Sequence, residues 1–599
     1  MGATCSRRVI SYILTGKNGD EGAASGCDRA GQHVLSGTNV TAVPLSSKAR
    51  RLSIDKRKDE TASARGQESP RPGVPLLLNA CVSHFARCPD RLDAATLDLI
   101  PNELIQMIFD VLVETHRLDA EVVSLFAGRS ICNANLASQP GVTDDWLRAL
   151  CGLDLRVLQI SHCRQITDKG LGQLHLCPSL TSLSLDCCFG VTAEGLRALE
   201  TLTELRTLSL ESCECIGETK LGFLRGMTEL RELSLDMCSE LTGGLENVVC
   251  LRKLQRLKLG WCINLPAEEF AHLGTLTTLR ELHLTRCGVN DECLGKLGGL
   301  ADLRILSLAG CPIADKSVDT LLKFQKLKDL NLEWCTVPSP HLAKLGRCWE
   351  LVNLNLGYTG CTDACLLKLF GLSKLRSLNL DSCKITDEGT SVFGYLGGLR
   401  YLNLSDTHVG NAGVAQLRGL RHLEELDLSY TAITDQALDH LKGLRNLRSL
   451  NLDTRHVTDT GLAKLVSLQD LTSLDLFGAS VTDSGLRHLA QLRKLESLEV
   501  CSGGITDFGV INHISKISSL VSLNLAQNHR ITDASLPHIG RLTSLESLNL
   551  THSRITNTGL QQIHPLKSLV SISVYNCKVG KSAVQKLQQQ LPKLQSIGV

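Results

Sequence analysis

A short phrase, Leu-x-x-Leu-x-Leu, recurs along the chain from residue 155 to residue 594. Its first leucine returns every 24 or 25 residues. These first leucines are Leu155, Leu180, Leu205, Leu230, Leu254, Leu279, Leu303, Leu327, Leu351, Leu375, Leu399, Leu423, Leu447, Leu471, Leu495, Leu520, Leu545, Leu569 and Leu594. Such a constant period indicates a repeat protein. A weaker copy begins one period earlier, at Ile131, and matches the atypical terminal repeat that a stack requires.

The pattern inside one repeat predicts a strand followed by a short helix. In Leu378-Asn379-Leu380 apolar and polar residues alternate, which indicates a strand with one buried face. In Gly461-Leu462-Ala463-Lys464-Leu465 the apolar spacing becomes helical, and Asp459 just before it is predicted to cap the helix. The same Asp recurs at Asp168, Asp291, Asp315, Asp363, Asp387, Asp435, Asp483, Asp507 and Asp533. Since one unit cannot bury its apolar face, the units must stack into a solenoid.

The repeat resembles a known family. The unit from Leu375 carries its strand, then Cys383, then Ile385-Thr386-Asp387, and is similar to the leucine-rich repeat, more closely to its cysteine-containing subtype. The resemblance covers residues 131–599. It implies an α/β fold, namely a leucine-rich-repeat solenoid with a curved parallel sheet and short helices on its convex side. Many members of this subtype are substrate receptors of ubiquitin ligases.

Ten of the 25 cysteines stand eight residues after a repeat start. They are Cys163, Cys188, Cys213, Cys238, Cys262, Cys287, Cys311, Cys335, Cys383 and Cys577, and the same slot holds Thr359, Thr407, Thr431 and Asn528. These residue types share a small group that can donate a hydrogen bond to a backbone carbonyl. The pattern therefore predicts reduced, buried thiols that stabilise the turn. Metal binding is the alternative, and the absence of any Cys-x-x-Cys pair disfavours it.

The composition argues against several classes of function. The chain has 63 basic and 62 acidic residues, which disfavours a nucleic-acid binder. It contains no His-Glu-x-x-His, no Gly-x-x-x-x-Gly-Lys-Ser/Thr and no Gly-x-Ser-x-Gly motif, so we predict neither an enzyme nor a cofactor. No run of about 18 apolar residues occurs, and no signal peptide is identified, which predicts an intracellular protein.

Residues 1–75 are rich in Gly, Ser and charge, and we predict a disordered tail. The start, Met1-Gly2-Ala3-Thr4-Cys5-Ser6, fits the N-myristoylation pattern with Gly2 as acceptor and Cys5 as a palmitoylation candidate. Because one acyl chain binds membranes only marginally, the second chain or nearby basic residues would matter. This predicts the cytoplasmic face of the plasma membrane. An unmodified start, with the protein in the cytoplasm or nucleus, is the alternative.

Residues 76–130 are predicted to form a helical segment before the first repeat. The stretch from Ile100 to Leu112 resembles the opening of an F-box, which docks on the Skp adaptor of an SCF-type cullin–RING ubiquitin ligase. The matching residues are Pro101, Glu103, Leu104, Ile108, Phe109 and Leu112. The later Cys-x-x-Trp-like end of the motif is missing, and a helical cap over the first repeat is the alternative. The whole arrangement also resembles plant F-box-like leucine-rich-repeat proteins.

The alternation of each strand predicts a binding face. Positions two, four and six after each start should lie on the open concave side, and position seven at the strand exit. Trp261, Trp334, Tyr358 and Tyr430 occupy position seven and Phe477 occupies position six. Exposed aromatic residues are enriched in binding hot spots. Packing over neighbouring turns is the alternative role for them.

Acidic residues recur at position six, which predicts a protein partner with a basic stretch. They are Asp186, Glu211, Asp236, Glu333, Asp381 and Asp453. Two functions follow as hypotheses, and both are non-catalytic. In the first, the chain is the substrate-recognition subunit of a cullin–RING ubiquitin ligase. In the second, it is a lipid-anchored scaffold or signalling adaptor without a ligase role.

Overall fold

The computed structural model describes residues 97–98, 100–139, 141–501 and 504–598. The predicted tail, including Gly2 and Cys5, lies outside the described residues. From residue 131 onward each repeat contributes one three-residue strand, and the twenty strands form a single parallel sheet. They are β1 to β20 in chain order: Asn133–Asn135, Val157–Gln159, Ser182–Ser184, Thr207–Ser209, Glu232–Ser234, Arg256–Lys258, Glu281–His283, Ile305–Ser307, Asp329–Asn331, Asn353–Asn355, Ser377–Asn379, Tyr401–Asn403, Glu425–Asp427, Ser449–Asn451, Ser473–Asp475, Ser497–Glu499, Ser522–Asn524, Ser547–Asn549, Ser571–Ser573 and Ser596–Gly598.

The register of the sheet follows the repeat. Each strand pairs with the strands of the preceding and following repeats, so that Leu378 lies opposite Leu354 and Leu402. β1 pairs only with β2, and β20 only with β19, which leaves the sheet open. The fold class predicted from the repeat pattern, a leucine-rich-repeat solenoid with a parallel sheet, is therefore confirmed.

Short helices return the chain from one strand to the next. The α-helices, α1 to α19, are Asn102–Glu114, Ala120–Leu125, Asp144–Leu150, Asp168–Gly172, Ala193–Ala198, Ile216–Thr219, Leu245–Val248, Asp291–Lys296, Asp315–Leu321, Ser339–Leu342, Asp363–Leu366, Asn411–Ala415, Asp435–Leu441, Asp459–Leu465, Asp483–Leu489, Asp507–Asn512, Leu536–Ile539, Asn557–Leu560 and Lys581–Gln590. The 3₁₀ helices are Gln173–Leu176, Leu199–Thr201, Gly222–Gly226, Ala267–Thr275, Leu297–Gly299, Ala343–Arg347, Leu367–Gly371, Gly389–Tyr395, Gln416–Gly419, Ile514–Lys516, Asp533–Ser535 and Gln561–Ile563. Within the described residues, no helix is long and apolar enough to cross a bilayer.

One continuous apolar core runs between the sheet and the helices. On the strand side, Leu375, Leu378 and Leu380 of one repeat are fully buried. On the helix side, Leu462 and Leu465 of α14, in a later repeat, are also fully buried. Because each repeat packs only against the repeats before and after it, the stability of the solenoid depends on contacts between adjacent repeats.

The recurring Asp links repeats instead of capping its own helix. Thr458 is the N-cap of α14, and its hydroxyl accepts from the backbone N–H of Thr460 at 3.3 Å. Asp459 is the first helical residue, and its carboxylate accepts from the backbone N and the Oγ1 of Thr482, at 2.8 and 2.5 Å, in the next repeat. The prediction that Asp459 caps its own helix is therefore wrong, because a Thr one position earlier already fills that role.

The first strand is covered by a helical cap made of α1 and α2. Ile108 and Phe109 of α1 are buried, and the Phe109 ring meets that of Phe126 edge-to-face at 5.5 Å. The side chain of Gln106 accepts from the backbone N–H groups of Cys132 and Asn133 at 3.1 and 3.2 Å. It also donates to the Asn133 carbonyl at 2.8 Å, so that α1 shields the open edge of the sheet.

Candidate functional site

A tight turn at the strand exit sets where the side chains of the sheet face lie. At position four, Asn379 accepts with its Oδ1 from the backbone N–H of Asp381, at 2.9 Å. At position seven, Ser382 adopts a left-handed conformation with φ of 55°. The aromatic residues predicted at this position share that conformation, which non-glycine residues rarely adopt: φ is 64° at Trp261, 62° at Trp334, 56° at Tyr358 and 55° at Tyr430. The turn thus ends the alternation of side chains between the two faces of the sheet, at the edge where the strands end.

Four side chains along this edge form two contacts, and we call Trp261, Arg286, Trp334 and Tyr358 the aromatic rim. The rings of Trp334 and Tyr358 stack 3.9 Å apart at an angle of 10°. The guanidinium of Arg286 lies over Trp261, 4.7 Å from the ring centre. Gly310 stands between the two pairs at the same register, where a Cβ would crowd the Arg286 side chain.

The aromatic residues predicted as binding residues are only partly brought together. Trp334 is 38% exposed and Tyr430 is 52% exposed, whereas Trp261, Tyr358 and Phe477 are half-buried. The stacking of Trp334 on Tyr358 corresponds to the alternative role, packing over a neighbouring turn. Sequence reasoning did not identify Arg286, because its contact with Trp261 forms between neighbouring repeats and cannot be read from the sequence of either repeat alone.

Beside the aromatic rim, the sheet face has a hollow of about 470 Å³. It extends from β7 to β12, which include the strands of the repeats that carry Arg286, Trp334 and Tyr358. Its lining includes His283, Thr285, Ser307, Asp329, Asn331, Asn353, Asn355, Ser377, Asn379 and Tyr401. Amide, hydroxyl and carboxylate groups thus line the hollow, and such groups suit hydrogen bonds to a polar ligand or a peptide backbone.

The charge on the sheet face has one dominant sign. At positions two, four and six of the described strands the acidic residues are Asp186, Glu211, Glu232, Asp236, Glu281, Asp329, Glu333, Asp381, Glu425, Asp427, Asp453, Asp475 and Glu499. Arg256 and Lys258 are the only Lys or Arg at these positions, and both lie on β6. From β7 onward, no Lys or Arg therefore occupies these outward positions.

Burial shifts the pKa values of several of these carboxyl groups upward. Burial raises the pKa values of Asp329, Glu333 and Asp427. It also raises the pKa of Asp475 to about 7, with repulsion from Glu499 adding to the shift. These carboxylates are costly to ionise in the isolated chain, and a cation on this face would favour their charged forms.

The ten slot cysteines donate across the repeat boundary. Each thiol lies near the carbonyl of a residue on the preceding repeat, at distances from 2.9 Å for Cys287 and Cys311 to 3.4 Å for Cys213. The remaining distances are 3.3 Å for Cys163, 3.2 Å for Cys188, Cys238, Cys262 and Cys335, 3.0 Å for Cys383 and 3.1 Å for Cys577. Nine are buried and Cys577 is half-buried. Burial raises the pKa of Cys335 to about 12, which keeps this thiol protonated.

The other residue types in this slot bond differently. The hydroxyl of Thr407 donates to the carbonyl of Leu404 at 2.7 Å, inside its own repeat. The Asn528 amide reaches both ways, to Val500 in the preceding repeat at 2.7 Å and to Leu525 at 3.0 Å. A threonine is therefore not equivalent to a cysteine here, because only the longer C–S bonds of cysteine and the longer side chain of asparagine reach the preceding repeat.

The F-box-like residues lie on α1 and immediately before it. Pro101 is exposed and Leu104 is half-buried, whereas Ile108, Phe109 and Leu112 are at most 1% exposed within the chain's own core. The side chain of Glu103 lies outside the described residues. This burial corresponds to the cap interpretation, since these three apolar side chains are already covered.

One group in the described part of the chain has ligands suited to a metal ion. Glu246 on α7 and Glu269 and His272 on the following 3₁₀ helix place their ligand atoms within 4.8 Å of one another. Glu269 is already engaged, because its Oε2 accepts from the backbone N–H groups of Gly244 and Leu245 at 3.1 and 2.9 Å. The sequence carries no signal for this group, since its members come from two repeats and are exposed or half-buried.

Comparison with known proteins identifies the repeat. The model of a leucine-rich repeat region matches residues 356–507, and a second leucine-rich repeat model matches residues 154–174, 275–298 and 541–563. These segments of the solenoid are leucine-rich repeats. No curated protein matches the chain significantly.

Similar solved structures include proteins from two bacteria and one plant. An internalin from Listeria monocytogenes is 25% identical with a TM-score of 0.41, and the match covers 51% of this chain and 82% of the internalin. A leucine-rich-repeat protein of Leptospira interrogans is 18% identical with a TM-score of 0.35, covering 74% and 95%. The ectodomain of the Arabidopsis thaliana receptor kinase GASSHO1, in complex with CASPARIAN STRIP INTEGRITY FACTOR 2, is 15% identical with a TM-score of 0.37, covering 79% and 67%.

Proposed function

We propose that this chain is a non-catalytic protein-binding receptor that holds an extended, positively charged segment of a partner protein on its sheet face. The carrying observation is the charge of that face, where Asp and Glu recur from β7 to β16 without a Lys or Arg at the outward positions. Charge complementarity of this kind increases the association rate and selects partners.

The titration of the acidic side chains supports a cationic partner. Asp427, Asp475 and Glu499 lie on β13, β15 and β16, and burial raises the pKa values of Asp427 and Asp475. A lysine or arginine bound beside Asp427 or Asp475 would favour the charged form of that carboxyl group and would gain charge-assisted hydrogen bonds. A neutral or acidic segment would leave the cost of burying these carboxylates uncompensated.

The aromatic rim supports the same chemistry. Arg286 over Trp261 is a cation–π contact made inside the chain, and it shows that this edge accommodates a guanidinium against an indole. The Trp334–Tyr358 stack is the second aromatic pair of the rim, and Trp334 is partly exposed. We propose that a partner arginine or lysine packs on this second pair while its neighbouring backbone hydrogen-bonds to the hollow.

The experiment compares binding of 12-residue peptides of basic, neutral and acidic composition to the full chain. Basic peptides should bind best, and their affinity should fall as salt rises, because screening weakens contacts between exposed charges. Trp334→Ala and Glu499→Gln should each weaken binding of the basic peptides. The matched controls are Trp349→Ala and Asp319→Asn, an exposed aromatic and an exposed acid outside the strands. Equal binding of all three compositions, or equal losses in the controls, would contradict the proposal.

A role in a cullin–RING ubiquitin ligase is the second candidate function. It is supported by the F-box-like sequence Ile100–Leu112, most of which lies in the 13-residue α1, and by the exposure of Pro101 just before that helix. With Ile108 and Phe109 buried, the exposed side of α1, which includes Glu114, is the surface available to an adaptor. Capture of the Skp adaptor by the full chain, and its loss in Glu114→Lys, would support the role. Failure of the wild-type chain to capture the adaptor would exclude it.

We also propose attachment to the cytoplasmic face of the plasma membrane through Gly2 and Cys5. The support is the sequence motif alone, Met1-Gly2-Ala3-Thr4-Cys5-Ser6. Intact-mass measurement of the chain expressed in eukaryotic cells should show an added myristoyl group, and Gly2→Ala should move the protein from membranes to the soluble fraction. A mass without an acyl group, or unchanged fractionation of Gly2→Ala, would contradict the anchor.

A further inference from the structure

We propose that Cys151 and Cys177 form a site of reversible oxidation, at which peroxide converts two thiols into a disulfide that joins the first two repeats. Their Sγ atoms lie 2.9 Å apart. Cys151 follows α3 and Cys177 follows the 3₁₀ helix Gln173–Leu176, so that both lie where the chain turns back toward its next strand. This inference is independent of the proposed protein-binding function.

The pair differs from the ten slot cysteines in its hydrogen bonds. Each slot thiol lies near a backbone carbonyl of the preceding repeat, as Cys163 does with Leu136. In the pair, the two sulfurs share a hydrogen bond with each other, and the Cys151 thiol also lies 3.2 Å from the Gln173 carbonyl. Two sulfurs already in contact need little backbone movement to bond, which is the main obstacle for most cysteine pairs.

The pair is also accessible from one side. Cys151 is half-buried, whereas Cys177 is 4% exposed. A small oxidant such as hydrogen peroxide can therefore reach the pair at Cys151, while larger reagents are hindered. The partly covered surroundings would protect the disulfide from bulky protein reductants more than from small thiols.

The reaction balances with one peroxide. The thiolate of one cysteine attacks a peroxide oxygen, the O–O bond breaks, and hydroxide leaves with a proton as water, which gives a sulfenic acid. The thiolate of the second cysteine attacks this sulfur, the S–O bond breaks, and a second water leaves. Two thiols and one peroxide thus give one disulfide and two waters, and the two electrons lost by sulfur reduce the peroxide. A dithiol reductant reverses the change by exchange.

The consequence is a covalent link at the amino-terminal end of the solenoid. Terminal repeats have one repeat neighbour fewer than the others and open most readily. A bond between residues 26 positions apart in sequence would hold the first repeat, and with it the cap on β1, against the second repeat. Oxidation should therefore slow amide exchange in α3 and β1 and leave the central repeats unchanged.

The test treats the reduced full chain with hydrogen peroxide, blocks remaining thiols and analyses the peptides. We expect a peptide pair linked through Cys151 and Cys177, lighter than its reduced parts by about 2 Da. Cys151→Ser and Cys177→Ser should each abolish the linked pair. Cys250→Ser is the matched control, because Cys250 is half-buried at the equivalent turn of its repeat but donates to the Asn247 carbonyl at 2.9 Å. It should leave the linkage intact.

Two results would overturn the inference. Peroxide could leave Cys151 as a sulfenic or sulfinic acid with no linked peptide, which would show that the sulfurs do not reach bonding geometry. Alternatively, amide exchange in α3 and β1 could be equal in the reduced and the linked chain, which would show that the bond does not hold the terminal repeat. Circular dichroism of the serine variants distinguishes loss of linkage from loss of fold.

Discussion

Gly485 lies directly against the carboxylate of Asp459 in the preceding repeat, where a Cβ would overlap Oδ1. The same carboxylate accepts from the backbone N and Oγ1 of Thr482. The phrase Thr-Asp-x-Gly therefore has one explanation: the Asp bridges two repeats, and the next repeat's Gly leaves room for it. Equivalent crowding occurs at Gly170, Gly195, Gly389, Gly413, Gly461, Gly509 and Gly559.

Replacing this glycine by alanine should destabilise the solenoid. Gly485→Ala should lower the free energy of unfolding by about 1–3 kcal/mol, because the added methyl must displace the carboxylate of Asp459. Gly485→Ser should cost less, since Ser535 occupies the equivalent position and its Oγ donates to Asp507 Oδ1 at 2.5 Å. Urea-induced unfolding of the full chain measures both values.

The matched control for this crowding is Gly443→Ala. Nothing lies within 4 Å of a Cβ built on Gly443, so this variant should unfold at nearly the same urea concentration as the wild type. Equal destabilisation by alanine at positions 443 and 485 would contradict the explanation of the motif.

The buried thiol of the slot cysteine Cys335 should stabilise the fold by donating to the Leu308 carbonyl, and bulky reagents should not reach it. Cys335→Ala should lower the free energy of unfolding by about 1 kcal/mol, because the Leu308 carbonyl loses its thiol partner. Cys335→Thr should destabilise the chain as much as Cys335→Ala does. A threonine in this slot bonds within its own repeat, so it also leaves the Leu308 carbonyl without its partner. Urea-induced unfolding of the two variants compares them.

Labelling provides a second measurement on the same thiol. Since burial raises the pKa of Cys335 to about 12, a bulky maleimide should label it at neutral pH only when the chain unfolds. The half-buried Cys577 should react faster. Labelling of Cys335 as fast as that of Cys577 in the folded chain would contradict its closed environment.

Asp475 should make stability depend on pH. Its pKa is raised to about 7 in the folded chain, so between pH 4 and 7 the unfolded chain binds fewer protons, and stability falls as pH rises through that range. Asp475→Asn should remove this loss, which amounts to about 2–4 kcal/mol at pH 7 for a shift of this size. Asparagine keeps the turn, because Asn451 in the equivalent position accepts from the backbone N–H of Asp453 at 3.0 Å.

The comparison is the difference in unfolding free energy between variant and wild type, measured from pH 4 to pH 8. It should grow up to pH 7 and then level off. Asp470→Asn is the control. Lys494 lowers the pKa of the exposed Asp470 carboxyl, so the difference in unfolding free energy between Asp470→Asn and wild type should not grow over this pH range. A difference for Asp475→Asn that is flat with pH would show that its carboxyl ionises normally.

The period of the leucines was enough to predict the order of strand, turn and helix in each repeat, since burial of one face dictates both patterns. The sequence did not reveal what joins repeats. Asp459 has the spacing of a helix cap, and its role depends on Thr482, which stacking places beside it. The stack of Trp334 on Tyr358 likewise depends on a left-handed turn that no glycine marks. Contacts between equivalent positions of adjacent repeats carry no signal within a single repeat.

The last prediction concerns the edge that α1 covers. Gln106 satisfies two N–H groups and one carbonyl at β1, so Gln106→Ala should expose an unpaired strand edge. We expect a loss of about 1–3 kcal/mol in the local stability of the first repeat, and faster amide exchange at Cys132 and Asn133. Glu114→Ala, which changes an exposed residue of the same helix, is the control. If exchange at Cys132 and Asn133 is unchanged in Gln106→Ala, the apolar contacts of Ile108 and Phe109 alone hold the cap in place.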